Sequence, residues 1–202
     1  SANIISSVSG TVKAIEKREN VLGTTDLSIV VVNDGQYTLA EGVGKEVEPT
    51  TLTAQEILAK VKAAGIVGLG GAGFPTHVKL APKDPTAIKY VIANGAECEP
   101  YITCDDQLMR NYADEIVGGL KIMLQLFPNA EGVVLIEENK PEAIAAVQKV
   151  CANENKIHVH PVHVKYPQGG ERAIMDVVAG KHIKLGMLPA DVGCVVDNVA
   201  TV

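Results

Sequence analysis

The densest chemistry in this sequence is a glycine run that ends in a lysine, Gly65-Ile66-Val67-Gly68-Leu69-Gly70-Gly71-Ala72-Gly73-Phe74-Pro75-Thr76-His77-Val78-Lys79. Glycines at 65, 68, 70, 71 and 73 remove side chains where a ligand must approach the backbone. They also permit positive φ and leave main-chain N–H groups free to point at an anion. With Lys79 supplying positive charge, the run reads as a phosphate cradle. Gly68-x-Gly70-x-x-Gly73 formally matches the dinucleotide fingerprint, but that fingerprint follows a strand and opens a helix. Here a helical segment precedes it, which argues against an ordinary Rossmann loop.

Two further segments, Asn94-Gly95-Ala96-Glu97-Cys98-Glu99-Pro100-Tyr101 and Tyr166-Pro167-Gln168-Gly169-Gly170-Glu171, each follow a β-prone run. Polar residues gathered at the carboxyl end of a strand are where open α/β sheets bind ligands. Read alone, Glu97 and Glu99 fit a solvated strand end better than a ligand site. His158 and His160 share one strand face, yet they and His163 alternate with Ile157, Val159, Val162 and Val164. That pattern is a half-exposed strand rather than a metal site. The four cysteines, Cys98, Cys104, Cys151 and Cys194, are separated by 6, 47 and 43 positions. Such spacing fits neither a zinc knuckle nor an iron–sulfur ligand run, so no metal ligands are expected and Cys98 reads as a filler thiol.

The elements that must position these residues follow from periodicity. Residues 1 to about 45 read as short strands (Ile4 to Val8, Thr11 to Glu16, Leu27 to Asn33), a small β unit ahead of a linker at Lys45 to Thr50. Thr53-Ala54-Gln55-Glu56 is a capping box that opens a helix ending near Gly65, and Phe74 to Leu80 is expected to form a short helix. Strands follow at Ile88 to Ala93, Gly132 to Ile136, Ile157 to Val164 and Val192 to Val196. Helices from Tyr112 to Leu126, from Pro141 to Cys151 and through Val178 lie between them. Alternating strand and helix predicts an α/β fold with a mainly parallel sheet flanked by helices. The charge of −6, the pI of about 5.4 and a complement of two Phe, five Tyr and no Trp exclude nucleic acid as the expected partner. No apolar run approaches the roughly 18 residues a membrane span needs, and the first residues lack the pattern of a signal peptide. Reduced thiols in a cytosolic setting are the default.

The glycine loop and the two polar segments together resemble the flavin- and NADH-binding subunit family of respiratory complex I, the 51 kDa type, whose loop has the form G-x-G-G-A-G-F-P-T-x-x-K. Gly68 to Lys79 reproduces it, and the resemblance covers about residues 51 to 202. Asn94 to Thr103, followed by Asp105-Asp106-Gln107-Leu108-Met109-Arg110, is most similar to the C subunit of Rnf electron-transport complexes. Ser7-Val8-Ser9-Gly10-Thr11-Val12 resembles the Rnf N-terminal domain, and Val8 to Ala14 the returning half of a biotinyl/lipoyl barrel-sandwich. Leu69 stands where the complex I family usually has arginine, and Ala96 where it has an acidic residue.

The resemblance implies residues 1–49 as a partial barrel-sandwich unit and residues 50–202 as an FMN/NADH-binding α/β domain, cut at its C-terminal end. It implies that Gly68, Gly70, Gly71, Ala72 and Gly73 wrap FMN and its phosphate, with Lys79 adding charge. Asn94 and Asn198 would bond the phosphate and ribityl region, with Glu97 beside the flavin. Tyr166, Gly169 and Gly170 would close over it, and Phe74, Glu99 and Glu171 would contact NADH. The implied activity is NADH-dependent flavoprotein oxidoreduction with no catalytic side chain, since hydride passes directly from nicotinamide to flavin. The implied setting is the cytoplasmic face of the membrane, with other Rnf subunits and ferredoxin as partners and 4Fe-4S clusters outside this chain. A flavin/iron–sulfur cobalamin reductase of bacterial microcompartments shares the loop and is the alternative. A non-enzymatic docking subunit is the alternative of another class.

Overall fold

The computed structural model describes residues 2–184 and 186–202. The chain divides into two compact units, Ile4–Glu48 and a larger one comprising Pro49–Val202 together with the first few residues. The small unit is one antiparallel hairpin of β1 (Gly10–Glu19) and β2 (Thr25–Asn33), with an irregularity between Val12 and Ala14. Asn20 closes its turn, Oδ1 accepting from the amides of Leu22 and Thr24. The expected strand over Ile4 to Val8 does not form. No neighbouring strand pairs with it, and Ile4 and Ile5 are exposed.

In the larger unit, four parallel strands form a sheet in the order β5-β4-β3-β6: β3 (Tyr90–Gly95), β4 (Glu131–Glu137), β5 (Ile157–Val162) and β6 (Cys194–Asn198). Their near-continuous apolar runs, Val133 to Ile136 above all, are what a strand covered on both faces needs. Alternate side chains serve the two layers. Val91, Ala93, Val134, Ile136 and Val195 pack in one cluster beneath α1 (Ala54–Ala63), α3 (Cys104–Asn111), α4 (Ala113–Leu124) and α5 (Pro141–Cys151). Ile92, Val133, Leu135 and Val196 face the other way, against Ile174 and Met175 of α6 (Glu171–Ala179).

Local signals set the helix ends. Thr53 accepts from the Glu56 amide while the Glu56 carboxylate accepts from the Thr53 amide, a reciprocal cap on α1. Beyond α1 the chain reverses at Gly65, φ 67°, and enters the glycine loop. The helix expected after that loop is a single turn, α2 (Thr76–Lys79), and the Thr76 amide is already bonded to Ile66 O. It therefore offers little as an anion-binding helix terminus. No helix is predicted over α3, which the structure adds immediately after the Asn94–Thr103 segment. Gly95 makes room for it: a Cβ there would sit 2.5 Å from Met109 Sδ and 3.0 Å from Leu135 O. Among the described residues no helix is long and apolar enough to cross a membrane.

Candidate functional site

The strand order fixes where a ligand can enter. The chain proceeds outward from β3 to β4 to β5, then returns to lay β6 on the other side of β3. That reversal leaves a crevice at the carboxyl ends of β3 and β6, the usual ligand position in open α/β sheets. Asn94 and Asn198, the last paired residues of the two strands, stand opposite each other there. A cavity of about 460 Å³ opens over them, lined by Leu69, Gly70 and Gly169 and by the acidic wall of Glu97, Glu99 and Asp105. Of the residues designated from sequence, Gly70, Asn94, Glu97, Glu99, Gly169 and Asn198 thus meet in one place.

The glycine loop is a closed hairpin whose tip hangs over β6. Its base is pinned by Gly68 N to Phe74 O at 2.8 Å, and Leu69 N donates to Thr201 Oγ1 at 2.9 Å. Among the described residues, the next four amides, Gly70 to Gly73, donate to no carbonyl. A Cβ on Gly70 would lie 3.4 Å from Asn198 Cβ, so the tip rests on the strand end. Gly71 (φ 105°) and Gly73 (φ 60°) face open space in conformations that L side chains rarely adopt. Unused amides on a glycine loop whose tip residue Gly70 lines a cavity are the donor set an anion needs, and the loop fits a phosphate-bearing group such as FMN.

Lys79 is not free for that anion. Its Nζ donates to Val196 O at 2.6 Å and lies 3.1 Å from Asp197 Oδ1 and 3.8 Å from Glu171. Asp197 is 2% exposed, and its oxygens receive the lysine's charge but no aligned N–H. Burial raises its pKa even with Lys79 beside it. Lys79 therefore secures the strand end that carries Asn198.

Glu97 is likewise engaged within the protein. Only 5% exposed, it accepts from the amides of Asp105 (2.9 Å) and Asp106 (3.3 Å) and from the Cys104 thiol (3.2 Å). It caps α3, whose own N-cap residue, Thr103, makes no side-chain cap. Lys140 Nζ stands 3.9 Å away. Burial thus separates the two acids: Glu97 is not a solvated strand end, while Glu99 is exposed and lines the cavity. The Glu97 hydrogen bond, burial and the nearby carboxylates all raise the Cys104 pKa, keeping the thiol protonated.

Asp105 and Cys104 were not singled out from sequence, yet both line the cavity. Asp105 accepts from Asn198 Nδ2 at 2.7 Å, and burial, with the charges of Glu97 and Glu99, raises its pKa. Their signal was a third acid soon after Glu97 and Glu99, legible only once α3 is known. The Tyr166–Glu171 segment is docked through one residue: Asn94 Nδ2 donates to Gly169 O (3.0 Å) and Gly169 N to Cys98 Sγ (3.4 Å). A Cβ on Gly169 would strike Ala96 O at 2.4 Å. Phe74 and Tyr166 remain exposed, and the Tyr166–Pro167 bond is cis. His158 on β5 faces Glu131 at 3.8 Å, and His163, just beyond β5, faces Glu138 at 3.5 Å, all four side chains more than half exposed.

Known proteins share this architecture. The chain is 41% identical over 201 residues to the C subunit of the Na(+)-translocating ferredoxin:NAD(+) oxidoreductase complex of Acetobacterium woodii, covering 100% of this chain and 45% of that protein. It is 41% identical to the C subunit of the proton-translocating ferredoxin:NAD(+) oxidoreductase complex of Clostridium ljungdahlii, with 100% and 44% covered. The chain thus spans less than half the length of these curated relatives. A crystal structure of an NAD+-reducing NiFe hydrogenase in the air-oxidized state superposes with a TM-score of 0.61 at 25% identity, covering 73% of this chain and 29% of that one. Residues 61–202 match the model of the Nuo51 FMN-binding domain. Glycine loop, paired asparagines and parallel sheet are thus found together in a chain that belongs to the Nuo51 FMN-binding domain family.

Proposed function

We propose that this chain is the FMN- and NADH-binding module of an Rnf-type NADH:ferredoxin oxidoreductase. The observation that carries the reading is the open glycine tip resting on Asn198 at the strand-order reversal, where Gly70 lines the cavity and the amides of residues 70–73 have no carbonyl partner. The Gly68–Gly73 backbone would hold the FMN phosphate, and Asn94 and Asn198 the ribityl region. Lys79 and Glu97 act one step back, Lys79 by securing β6 and Glu97 by fixing α3. Gly169, Gly170 and Tyr166 would form the closing segment, with Phe74, Glu99 and Glu171 toward NADH. Bound FMN supplies the redox chemistry, taking a hydride from NADH and releasing electrons singly. The chain's residues supply orientation and exclusion of water.

The four cysteines are free thiols separated by 6, 47 and 43 positions. Cys151 and Cys194 are buried, and burial pushes Cys194 up to about 11. The 4Fe-4S relay to ferredoxin is accordingly assigned outside this chain, as are the contacts with other Rnf subunits at the cytoplasmic membrane face. Anaerobic spectra of FMN-reconstituted protein before and after NADH test the reading. Bleaching of the flavin band by NADH is expected, as is loss of FMN binding in Gly71→Val with the fold intact. A folded protein that takes up no FMN, or a flavin that NADH leaves oxidised, overturns it.

A further inference from the structure

Between β3 and α3 the chain turns at Glu99-Pro100-Tyr101-Ile102, with Ile102 N bonded to Glu99 O at 3.5 Å and Tyr101 at φ 67°. Proline second and positive φ third is the type II turn pattern, whose third position ordinarily belongs to glycine. A tyrosine there strains the backbone, and its ring is fully exposed at 103%, so no burial within this chain offsets the strain. The turn stands at the cavity: Glu99 and Ile102, its flanking residues, both line it. Leu69 lines the same cavity while 63% exposed, and Ile102 is 43% exposed, giving the cavity apolar residues open to solvent.

We propose that Tyr101 is a specificity residue of the nucleotide site, its ring a stacking surface for the heteroaromatic ring of a nicotinamide dinucleotide at the cavity mouth. The inference rests on the flavin reading above. Two features choose the dinucleotide over FMN. Tyr101 sits in the turn between Glu99 and Ile102, both of which line the cavity, while the amides that suit a phosphate belong to the glycine loop. The exposed Glu99 carboxylate two residues away disfavours a phosphate there, so the part of a ligand placed beside Tyr101 is a ring. An aromatic face against that ring contributes affinity without needing a hydrogen-bond partner.

The test uses FMN-loaded protein with the residue intact, Tyr101→Gly and Tyr101→Phe. NAD+ is the probe, because it binds oxidised flavoprotein without turnover and calorimetry reads its affinity directly. Tyr101→Gly should melt at or above the parent temperature, because glycine relieves the turn. Its FMN affinity, followed by flavin fluorescence, should be unchanged. Its NAD+ affinity should fall about tenfold, the scale of one lost base–aromatic stack, and Tyr101→Phe should bind like the parent. Unchanged NAD+ affinity in a folded Tyr101→Gly protein overturns the proposal. So does an equal loss of FMN affinity, which would make the ring a flavin cover, and so does a parent that binds FMN but not NAD+. A parent that binds neither ligand sinks the flavin reading itself, and Tyr101's role falls with it.

Discussion

Glu97 and Asp197 are both nearly inaccessible carboxylates at the carboxyl ends of adjacent strands, and the protein neutralises them in opposite ways. Glu97 meets mainly fixed donors, two backbone amides at the start of α3 and a thiol, with the Lys140 ammonium only at the edge of ion-pair range, 3.9 Å. Asp197 meets one flexible cation, whose best hydrogen bond goes to the neighbouring carbonyl of Val196. The first arrangement shares the acid among groups that folding has already placed, so it ties loop to helix. The second depends on a single side chain, and removing that side chain strands a buried charge. Both support the same crevice: α3 carries Asp105 to its wall, and β6 ends in Asn198.

The comparison breaks most sharply at Lys79. Lys79→Met should destabilise the fold by about 3 kcal/mol in urea titrations, the lower end for breaking a buried pair, because Lys79 keeps some solvent contact. Adding Asp197→Asn should recover most of that loss, since the uncompensated charge is gone. If the single and double variants are equally unstable, charge is not what Lys79 provides. Glu97→Ala should cost less, about 1–2 kcal/mol, the range for a lost helix cap with its amides left unmet. The amides of Asp105 and Asp106 should then exchange faster with solvent while those of β3 do not. Equal acceleration throughout the sheet would mean that Glu97 holds more than α3.

What sequence could and could not disclose follows from the range of the interactions. The sheet was legible because its strands are apolar runs, and α1 because its capping box is local. Helix α3 was not, since Cys104-Asp105-Asp106-Gln107-Leu108-Met109-Arg110-Asn111 shows two adjacent apolar residues and no helical stripe. Without α3, Glu97 had no visible partners and read as solvated. Lys79 read as a free phosphate-binding charge because Val196 and Asp197, which engage it, lie far along the chain. The glycine loop was plain as a pattern, but that its tip rests on Asn198 depends on β6 returning beside β3. In the hairpin of β1 and β2, alternation overstated order: without a neighbouring strand, Ile4 to Val8 stays irregular.

The smallest expected effect sharpens the same comparison through pH. Asp105 lies between the two arrangements, on the helix that Glu97 caps and bonded to the residue after Asp197. Burial raises its pKa first, the charges of Glu97 and Glu99 raise it further, and the Asn198 hydrogen bond only partly opposes them. A carboxyl group with its folded pKa above the unfolded value holds its proton more tightly when folded. Stability from this group is therefore greatest at low pH and declines as pH rises from about 3.8 through the raised value. Asp197 and Glu137, raised mainly by burial, contribute slopes of the same sign, so the whole protein's profile does not isolate Asp105. The difference between parent and Asp105→Asn does. Thermal melts at pH steps upward from 3.8 should show the variant gaining on the parent across that window, with a constant gap above it. A gap that does not change with pH would mean that Asp105 carries the same proton load folded and unfolded, and that the acidic wall is better solvated than its burial implies.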